Sequence, residues 1–240
     1  MEIIRIERAE STNTWVAQNE TVLPSPSLVY CYEQSAGRGQ RGNSWESAPG
    51  ENITASLLFH PADYPANRQF TISEAIALAI ADFLKDLGAE AKVKWPNDIY
   101  VGDRKICGIL VENVVMERNL SRCIAGFGIN INQKKFYSDA PNPVSLSMIT
   151  GKDYDVSLLM QKLSDNLETY LAKLAQPEML HELFLKKLWR HDGEFYNFYD
   201  RVHNQRISAF IQSVDPDGIL TLVTSEGESR KFAFKEVEYQ

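Results

Sequence analysis

Residues 34–45 read QSAGRGQRGNSW, and they separate two strand-like segments at 27–33 (SLVYCYE) and 52–59 (NITASLLF). The stretch therefore connects two core elements, and its glycines allow the backbone to approach a ligand closely. Arg38 and Arg41 add fixed positive charge that suits phosphate or carboxylate. Gly-Arg sequences also occur in ordinary surface turns, but long loops inside compact domains are usually functional. We therefore expect an anion-binding loop between two strands of one sheet.

The surrounding sequence predicts an α+β domain at 1–196, in which helices flank a mixed or antiparallel sheet. Apolar residues at helical spacing from 69 to 87 predict a buried helix that ends at Gly88. The other elements are predicted as strands at 3–7, 91–95, 99–101, 105–116 and 122–132, a helix starting near residue 11, and amphipathic helices at 156–174 and 177–189.

The pattern changes near residue 197, where short strands at close spacing begin. Strands are predicted at 206–214, 219–224 and 230–234, with turns at 215–218 (DPDG) and 225–227 (SEG). This spacing predicts a second domain at 197–240, a small β-barrel of the SH3 kind.

Composition excludes several classes of protein. The chain has 240 residues and a formal charge of −7, which argues against a nucleic-acid-binding protein with a basic face. No apolar run approaches the roughly 20 residues that span a bilayer, and the start MEIIRIERAE has no signal-peptide pattern. Cys31, Cys107 and Cys123 lack metal-site spacing and are expected as reduced core residues. We expect a cytoplasmic protein that binds neither membrane nor nucleic acid.

Two further groups of residues are candidates for ligand binding. Ser11, Thr12 and Asn13 could cap a helix or recognise a compact polar head group such as a ureido ring, and both interpretations stay open. Gly126 and Gly128 share one face of a predicted strand, so something flat is expected to pack on the backbone there. That group is another element of the protein or a ligand, and the nearby loop favours a ligand.

These features together resemble the biotin protein ligase family, over nearly all of the chain. The matching motifs, in the family's order, are Ser11-Thr12-Asn13, the glycine-arginine loop ending at Trp45, Lys94-Trp-Pro-Asn-Asp98, Arg104-Lys105 with Gly108, and Gly126-Phe-Gly-Ile-Asn130. The resemblance implies a class II synthetase-like catalytic fold. It also implies a two-step reaction, in which biotin and ATP form biotinyl-5′-AMP and the biotinyl group then passes to a lysine of a biotin carboxyl carrier protein.

The resemblance also implies roles for individual residues. Lys105, with Arg38 and Arg41, is the expected catalytic group; alone, Lys105 would be a solvated lysine in a hairpin. The implied biotin-binding residues are Ser11, Thr12, Asn13, Gln34, Gly37, Arg38, Lys105, Gly108, Gly126 and Gly128. The implied adenylate-binding residues are Gly39, Gln40, Arg41, Trp45, Lys94, Asn97 and Asn130. Asp98 is the expected Mg²⁺ ligand, although Pro-Asn-Asp is also an ordinary turn sequence.

The chain departs from the family pattern at two places. Gln40 occupies a position where many relatives have a phosphate-contacting arginine, so we hypothesise that Arg41 turns inward to replace that charge. Bifunctional members carry an N-terminal DNA-binding domain, whereas the first strand here begins at residue 2 or 3. We therefore expect a monofunctional ligase.

Two other functions fit the same pattern. A lipoate or octanoate ligase or transferase shares the fold, but the polar residues 11–13 suit a ureido ring better than an aliphatic chain. A non-catalytic sensor of biotin or its adenylate is also compatible with the motifs. A homodimer stays open as well, because family members pair edge strands.

Overall fold

The computed structural model describes residues 1–138 and 142–240, apart from the side chain of Arg41. The helices are α1 (Thr12–Asn19), α2 (Gln69–Asp86), α3 (Leu146–Thr150), α4 (Val156–Leu171) and α5 (Pro177–Lys187). The strands are β1 (Glu2–Ala9), β2 (Ser27–Gln34), β3 (Gly37–Arg38), β4 (Ser44–Trp45), β5 (Ile53–Phe59), β6 (Lys92–Lys94), β7 (Asp98–Val101), β8 (Arg104–Met116), β9 (Asn119–Ile129), β10 (Tyr196–Asp200), β11 (Gln205–Val214), β12 (Leu220–Thr224), β13 (Ser229–Phe232) and β14 (Val237–Tyr239).

The main sheet has seven strands in the order β1-β2-β5-β9-β8-β7-β6. Only the β1–β2 pair is parallel, so the sheet is mixed. Both of its faces are covered around β5, since alternate side chains of a strand point to opposite faces. Leu57 belongs to the core formed with α2, whereas Leu58 packs with Val16 of α1. This double coverage explains why every residue of β5 is buried.

Helix α2 is the central helix of the fold, and the helix predicted from 69 to 87 is confirmed. Most of its residues are buried, because α4 and α5 pack on it as a second helical layer. Gly88 follows the helix with φ +93°, a left-handed conformation that glycine adopts without strain. The predicted hairpin of β7 and β8 and the central strand β9 are also present.

The C-terminal segment forms an antiparallel sheet in the order β13-β12-β11-β10-β14. The three predicted strands are confirmed, and two further strands, β10 and β14, were not predicted. Pairs between the described strands do not join β13 to β14, so the sheet is open where we expected a barrel. Domains at 1–196 and 197–240 stay a prediction.

An aromatic cluster joins the C-terminal sheet to the first part of the chain. Phe234 lies 5.4 Å from Trp95 and 6.0 Å from Phe70 between ring centroids. The indole nitrogen of Trp95 donates to the carbonyl of Gly218 at 2.9 Å. These contacts place the turn between β13 and β14 beside the 94–98 segment.

Three further sequence expectations can be compared with the described residues. The cysteines Cys31, Cys107 and Cys123 are buried and free, as expected. In the described ranges, no helix combines the length and apolar character needed to cross a membrane. The predicted helices at 156–174 and 177–189 are α4 and α5, which end earlier than expected.

Candidate active site

A cavity of about 800 Å³ lies against β8 and β9 and collects residues from distant parts of the chain. The predicted site residues that line it are Ser11, Thr12, Asn13, Gln34, Arg38, Gly39, Gln40, Trp45, Lys94, Asn97, Asp98, Lys105, Gly108, Gly126 and Gly128. Gly37 and Asn130, which were also predicted as site residues, are not among the residues that line it. The predicted inward turn of Arg41 falls on a side chain outside the described part of the structure.

One end of the cavity is a network of small polar groups. Ser11 occupies the N-cap position of α1, but its side chain makes no capping hydrogen bond, so the capping interpretation is not observed. The backbone N–H of Thr12 donates to Gln34 Oε1 at 3.0 Å. Ser56 Oγ lies 2.7 Å from Thr12 Oγ1 and 2.6 Å from Asn13 Oδ1. These contacts hold several hydroxyl and amide groups in fixed positions at the cavity wall.

Glu112 extends this network to the glycine-arginine loop. Its Oε2 atom accepts hydrogen bonds from Asn13 Nδ2 at 2.6 Å and from Arg38 Nη2 at 2.8 Å. Glu112 was not among the site residues predicted from the sequence. A signal was present, since Glu112 and Gly108 stand at alternate positions of β8 and therefore share a face.

The glycine-arginine loop is a small hairpin that carries Trp45 back over the sheet. Its strands pair Gly37 with Trp45 and Arg38 with Ser44. A Cβ atom on Gly37 would lie 2.4 Å from the carbonyl oxygen of Trp45, so only glycine allows this close pairing. The loop predicted from sequence therefore has regular backbone pairing at its base.

The indole of Trp45 is the flat group that packs on the bare strand surface. Gly108 and Gly128 are register partners on β8 and β9. A Cβ atom on Gly128 would lie 2.1 Å from Cε2 of Trp45, and one on Gly108 would lie 3.0 Å from Cζ3. A Cβ on Gly126 would lie 2.1 Å from Asn13 Oδ1. Side chains of the protein thus pack on Gly108, Gly126 and Gly128, the three strand glycines that the resemblance implied as biotin-binding residues.

Lys105 lies beside this tryptophan. Its Nζ atom is 2.7 Å from Asp98 Oδ1 and 5.7 Å from the centroid of the Trp45 ring. The Lys105 backbone N–H donates to Asn142 O at 2.9 Å, and its carbonyl accepts from Val144 N at 2.9 Å. These hydrogen bonds fix the backbone of Lys105, and the ion pair with Asp98 fixes its ammonium group.

Lys94 is enclosed by aromatic rings at another side of the cavity. Its Nζ donates to the hydroxyl of Tyr100 at 3.0 Å and lies 4.6, 5.5 and 4.9 Å from the ring centroids of Tyr100, Trp189 and Tyr239. Burial lowers the pKa of Lys94 from its ordinary value, and burial raises the pKa of Tyr239. Tyr239 belongs to β14, so the C-terminal sheet takes part in this enclosure.

The two predicted asparagines have different positions. Asn97 lines the cavity, and its Nδ2 donates to Ile109 O at 2.6 Å, which fastens the 94–98 segment to β8. Asn130 is buried and donates from Nδ2 to Val144 O at 3.1 Å. In the described structure the side chain of Asn130 therefore supports a neighbouring segment.

Residues of the C-terminal segment also line the cavity, and the sequence analysis did not find them. They are Arg201, Lys235, Val237, Glu238 and Tyr239. No local motif marks them, because they meet the other lining residues only through the tertiary contacts of the C-terminal sheet.

Residues 5–130 match the sequence profile of the biotin/lipoate A/B protein ligase family. The bifunctional ligase/repressor BirA of Salmonella typhimurium is 30% identical over 220 residues, which cover 89% of this chain and 67% of that protein. The biotin–[acetyl-CoA-carboxylase] ligase of Paracoccus denitrificans is 28% identical over 176 residues, covering 70% of this chain and 72% of its own. The chain thus spans about two thirds of the length of the bifunctional relative.

A solved structure shares the whole architecture. The biotin protein ligase from Aquifex aeolicus, determined in complex with biotin and ATP, superposes with a TM-score of 0.80. The match covers 100% of this chain and 99% of that one at 21% identity. The likeness confirms the predicted α+β fold.

Proposed function

Because the chain belongs to the biotin/lipoate A/B protein ligase family, we propose that it activates biotin with ATP and transfers it to a lysine of a biotin carboxyl carrier protein. The observation that carries this proposal is the position of Lys105. Its ammonium group lies in one cavity with the polar groups of residues 11–13, the loop arginine Arg38 and the indole of Trp45.

The polar end of the cavity supplies the biotin subsite. Ser11, Thr12 and Gln34 offer hydroxyl and amide groups that match the donors and acceptors of a ureido ring. Arg38 is oriented by Glu112 at the edge of this end. Specific recognition needs such fixed polar partners, since an unmatched ligand leaves them unpaired.

The adenylate subsite lies on the side of Trp45 and the 94–98 segment. The indole offers an aromatic face to adenine, and the loop residues Gly39 and Gln40 line the cavity as well. Lys94 and Asn97 line the cavity and are assigned to the same adenylate subsite. Arg41 is assigned to this subsite by the hypothesis that it replaces the charge that Gln40 lacks, whereas Asn130 is not among the residues that line the cavity.

The first chemical step joins the biotin carboxylate to the α-phosphorus of ATP. A carboxylate oxygen forms a bond to phosphorus, the bond to the bridging oxygen breaks, and pyrophosphate leaves. Both reactants are anions, so cationic groups must hold them together, and Lys105 is placed to do so. A compact ammonium can contact first the carboxylate and then the charge that develops at phosphorus.

The second step transfers the biotinyl group to the carrier. The ε-amine of the carrier lysine attacks the acyl carbon of biotinyl-5′-AMP, AMP leaves with the electron pair of the C–O bond, and the amine loses a proton. AMP is a good leaving group, which explains why activation must come first. Lys105 stabilises the negative charge on the departing phosphate.

Mg²⁺ is part of the proposal, and the cavity fits an ion that is held by one protein carboxylate together with the phosphates of ATP. Among residues 1–138 and 142–240, no three His, Cys, Asp or Glu side chains cluster as a metal cage. Mg²⁺ is commonly held by one or two carboxylates together with substrate phosphates, and Asp98 offers one carboxylate at the cavity. When bound there with ATP, the ion would neutralise charge on the pyrophosphate.

Biotin-dependent ATP/pyrophosphate exchange tests the proposed first step. We expect exchange with biotin and background rates with lipoate or octanoate. Exchange only with the aliphatic acids would replace this proposal with a lipoate-type ligase. Biotin binding without exchange would identify the protein as a sensor.

A further inference from the structure

Among the described residues, two of the cations that line the cavity, Lys94 and Lys235, form no ion pair with a carboxylate. Three cations are paired with carboxylates: Arg38 with Glu112, Lys105 with Asp98, and Arg201 with Glu238. Lys94 is enclosed by aromatic rings, and burial lowers its pKa. Lys235 also lines the cavity, but within the described residues its ammonium contacts a carbonyl oxygen and no carboxylate.

The backbone places Lys235 at the cavity through a tight turn between β13 and β14. Lys235 has φ +69°, in the left-handed region that non-glycine residues rarely adopt. The turn is closed by Ala233 N, which donates to Glu236 Oε2 at 2.7 Å. Phe234 fastens the turn to Trp95, with ring centroids 5.4 Å apart. A strained conformation that the surroundings hold in this way is typical of functional positions.

The ammonium group of Lys235 meets the glycine-arginine loop. Its Nζ donates to Gln40 O at 3.3 Å, a contact between residues 195 positions apart. An ammonium has three N–H donors, so this contact leaves two for a ligand. The side chain of Gln40 supplies an amide and no charge, so the ammonium group of Lys235 adds positive charge beside it at the cavity wall.

We propose that Lys235 binds the phosphate groups of ATP and then holds the phosphate of the biotinyl adenylate. The inference rests on the proposed function, which requires a nucleotide in this cavity. Within the described residues no carboxylate neutralises Lys235, so its ammonium group can form a charge-assisted hydrogen bond with an incoming phosphate. The C-terminal segment thereby contributes a ligand-binding residue to a site built mainly by residues 11–128.

Direct binding measurements with Lys235→Gln test the assignment independently of catalysis. Titration calorimetry with ATP, adenosine and biotin separates a phosphate contact from a structural role. We expect ATP affinity to fall by about tenfold to a hundredfold, as for a lost charged hydrogen bond. Adenosine and biotin affinities should stay at parental values, because neither ligand carries phosphate. Equal losses for adenosine and ATP, or an unchanged ATP affinity, would overturn the proposal.

Two further variants keep the result interpretable. Lys231→Gln is the matched control, since Lys231 lies on neighbouring β13, is exposed and pairs with Asp215 away from the cavity. It should bind ATP like the parent. Lys235→Arg keeps the charge and should restore most of the ATP affinity; a loss equal to that of Lys235→Gln would contradict a charge-based contact.

If the parent binds ATP but shows no biotin-dependent exchange, the proposed function fails while the role of Lys235 is still measured.

Discussion

Lys105 Nζ lies 2.7 Å from Asp98 Oδ1, and both side chains are largely shielded from solvent in the wall of the cavity. The pair joins the two strands of the β7–β8 hairpin. A charged pair of this kind orients a cation as well as neutralising it. The carboxylate therefore determines where the ammonium of Lys105 stands before substrates arrive.

Replacing Asp98 with asparagine should slow adenylate formation. The change keeps the shape of the side chain but removes the charge that positions Lys105 and that is proposed to hold Mg²⁺. We expect biotin-dependent pyrophosphate exchange to fall about tenfold or more, the effect of disturbing a preorganised electrostatic group. Asp103→Asn is the control, because Asp103 is exposed in the turn of the same hairpin. Parental exchange by Asp98→Asn would show that the ion pair is dispensable.

A methyl group at residue 128 should displace the indole of Trp45. The added Cβ would lie 2.1 Å from Cε2 of the ring, far inside van der Waals contact. We expect Gly128→Ala to weaken ATP binding and to change the tryptophan fluorescence. Combining Gly128→Ala with Trp45→Ala should cost less than the sum of the two single changes, because both act on one contact. Additive losses in the double variant would show that the glycine does not act through Trp45.

The sequence-based hypothesis about Arg41 can be tested through adenylate retention. If Arg41 supplies the charge that Gln40 lacks, Arg41→Ala should release biotinyl-5′-AMP faster than the parent does. The measurement is dissociation of labelled adenylate after dilution into unlabelled ligand. Retention and discharge at parental rates would lead us to abandon the hypothesis.

The contact between Glu74 and His181 should make stability depend on pH. His181 Nδ1 lies 2.6 Å from Oε1 of the fully buried Glu74, and this hydrogen bond raises the pKa of His181 above 6.5. Burial raises the pKa of Glu74 as well. Because both pKa values are raised, the folded state binds protons more tightly than the unfolded state. The free energy of unfolding should therefore fall as pH rises past 6.5.

Urea denaturation measures this dependence. It is followed from about pH 6 to about pH 8, where a histidine titrates. The double variant Glu74→Gln with His181→Gln should flatten it. His181→Ala alone should destabilise the protein by about 1–3 kcal/mol, because it leaves the buried Glu74 carboxyl without its hydrogen-bond partner. An equally steep pH profile in the double variant would assign the dependence to other groups.

Local patterns predicted the elements whose geometry depends on nearby residues. Helix α2 followed from apolar periodicity and from Gly88, and the β7–β8 hairpin followed from the turn at 102–103. The glycines of β9 correctly indicated a flat partner on the strand surface. Their spacing carries no information on whether that partner is an indole or a ligand, so Trp45 was not predicted there.

Contacts between distant segments could not be predicted in the same way. Lys235 meets Gln40 across 195 residues, through tertiary contacts such as the packing of Phe234 on Trp95. Strands β10 and β14 were not predicted; Arg201 directly follows β10, Tyr239 belongs to β14, and both residues line the cavity. The site depends on tertiary packing of the C-terminal sheet, which a motif search does not detect.

Transfer of labelled biotin to an isolated biotin carboxyl carrier domain, with Mg-ATP, tests the central claim most directly. The comparison is between the parent, Lys105→Ala, and the exposed-lysine control Lys231→Ala. We predict transfer by the parent and by the control, and its loss in Lys105→Ala with folding preserved. Transfer by Lys105→Ala at the parental rate, or none by a parent that binds biotin, would contradict the account.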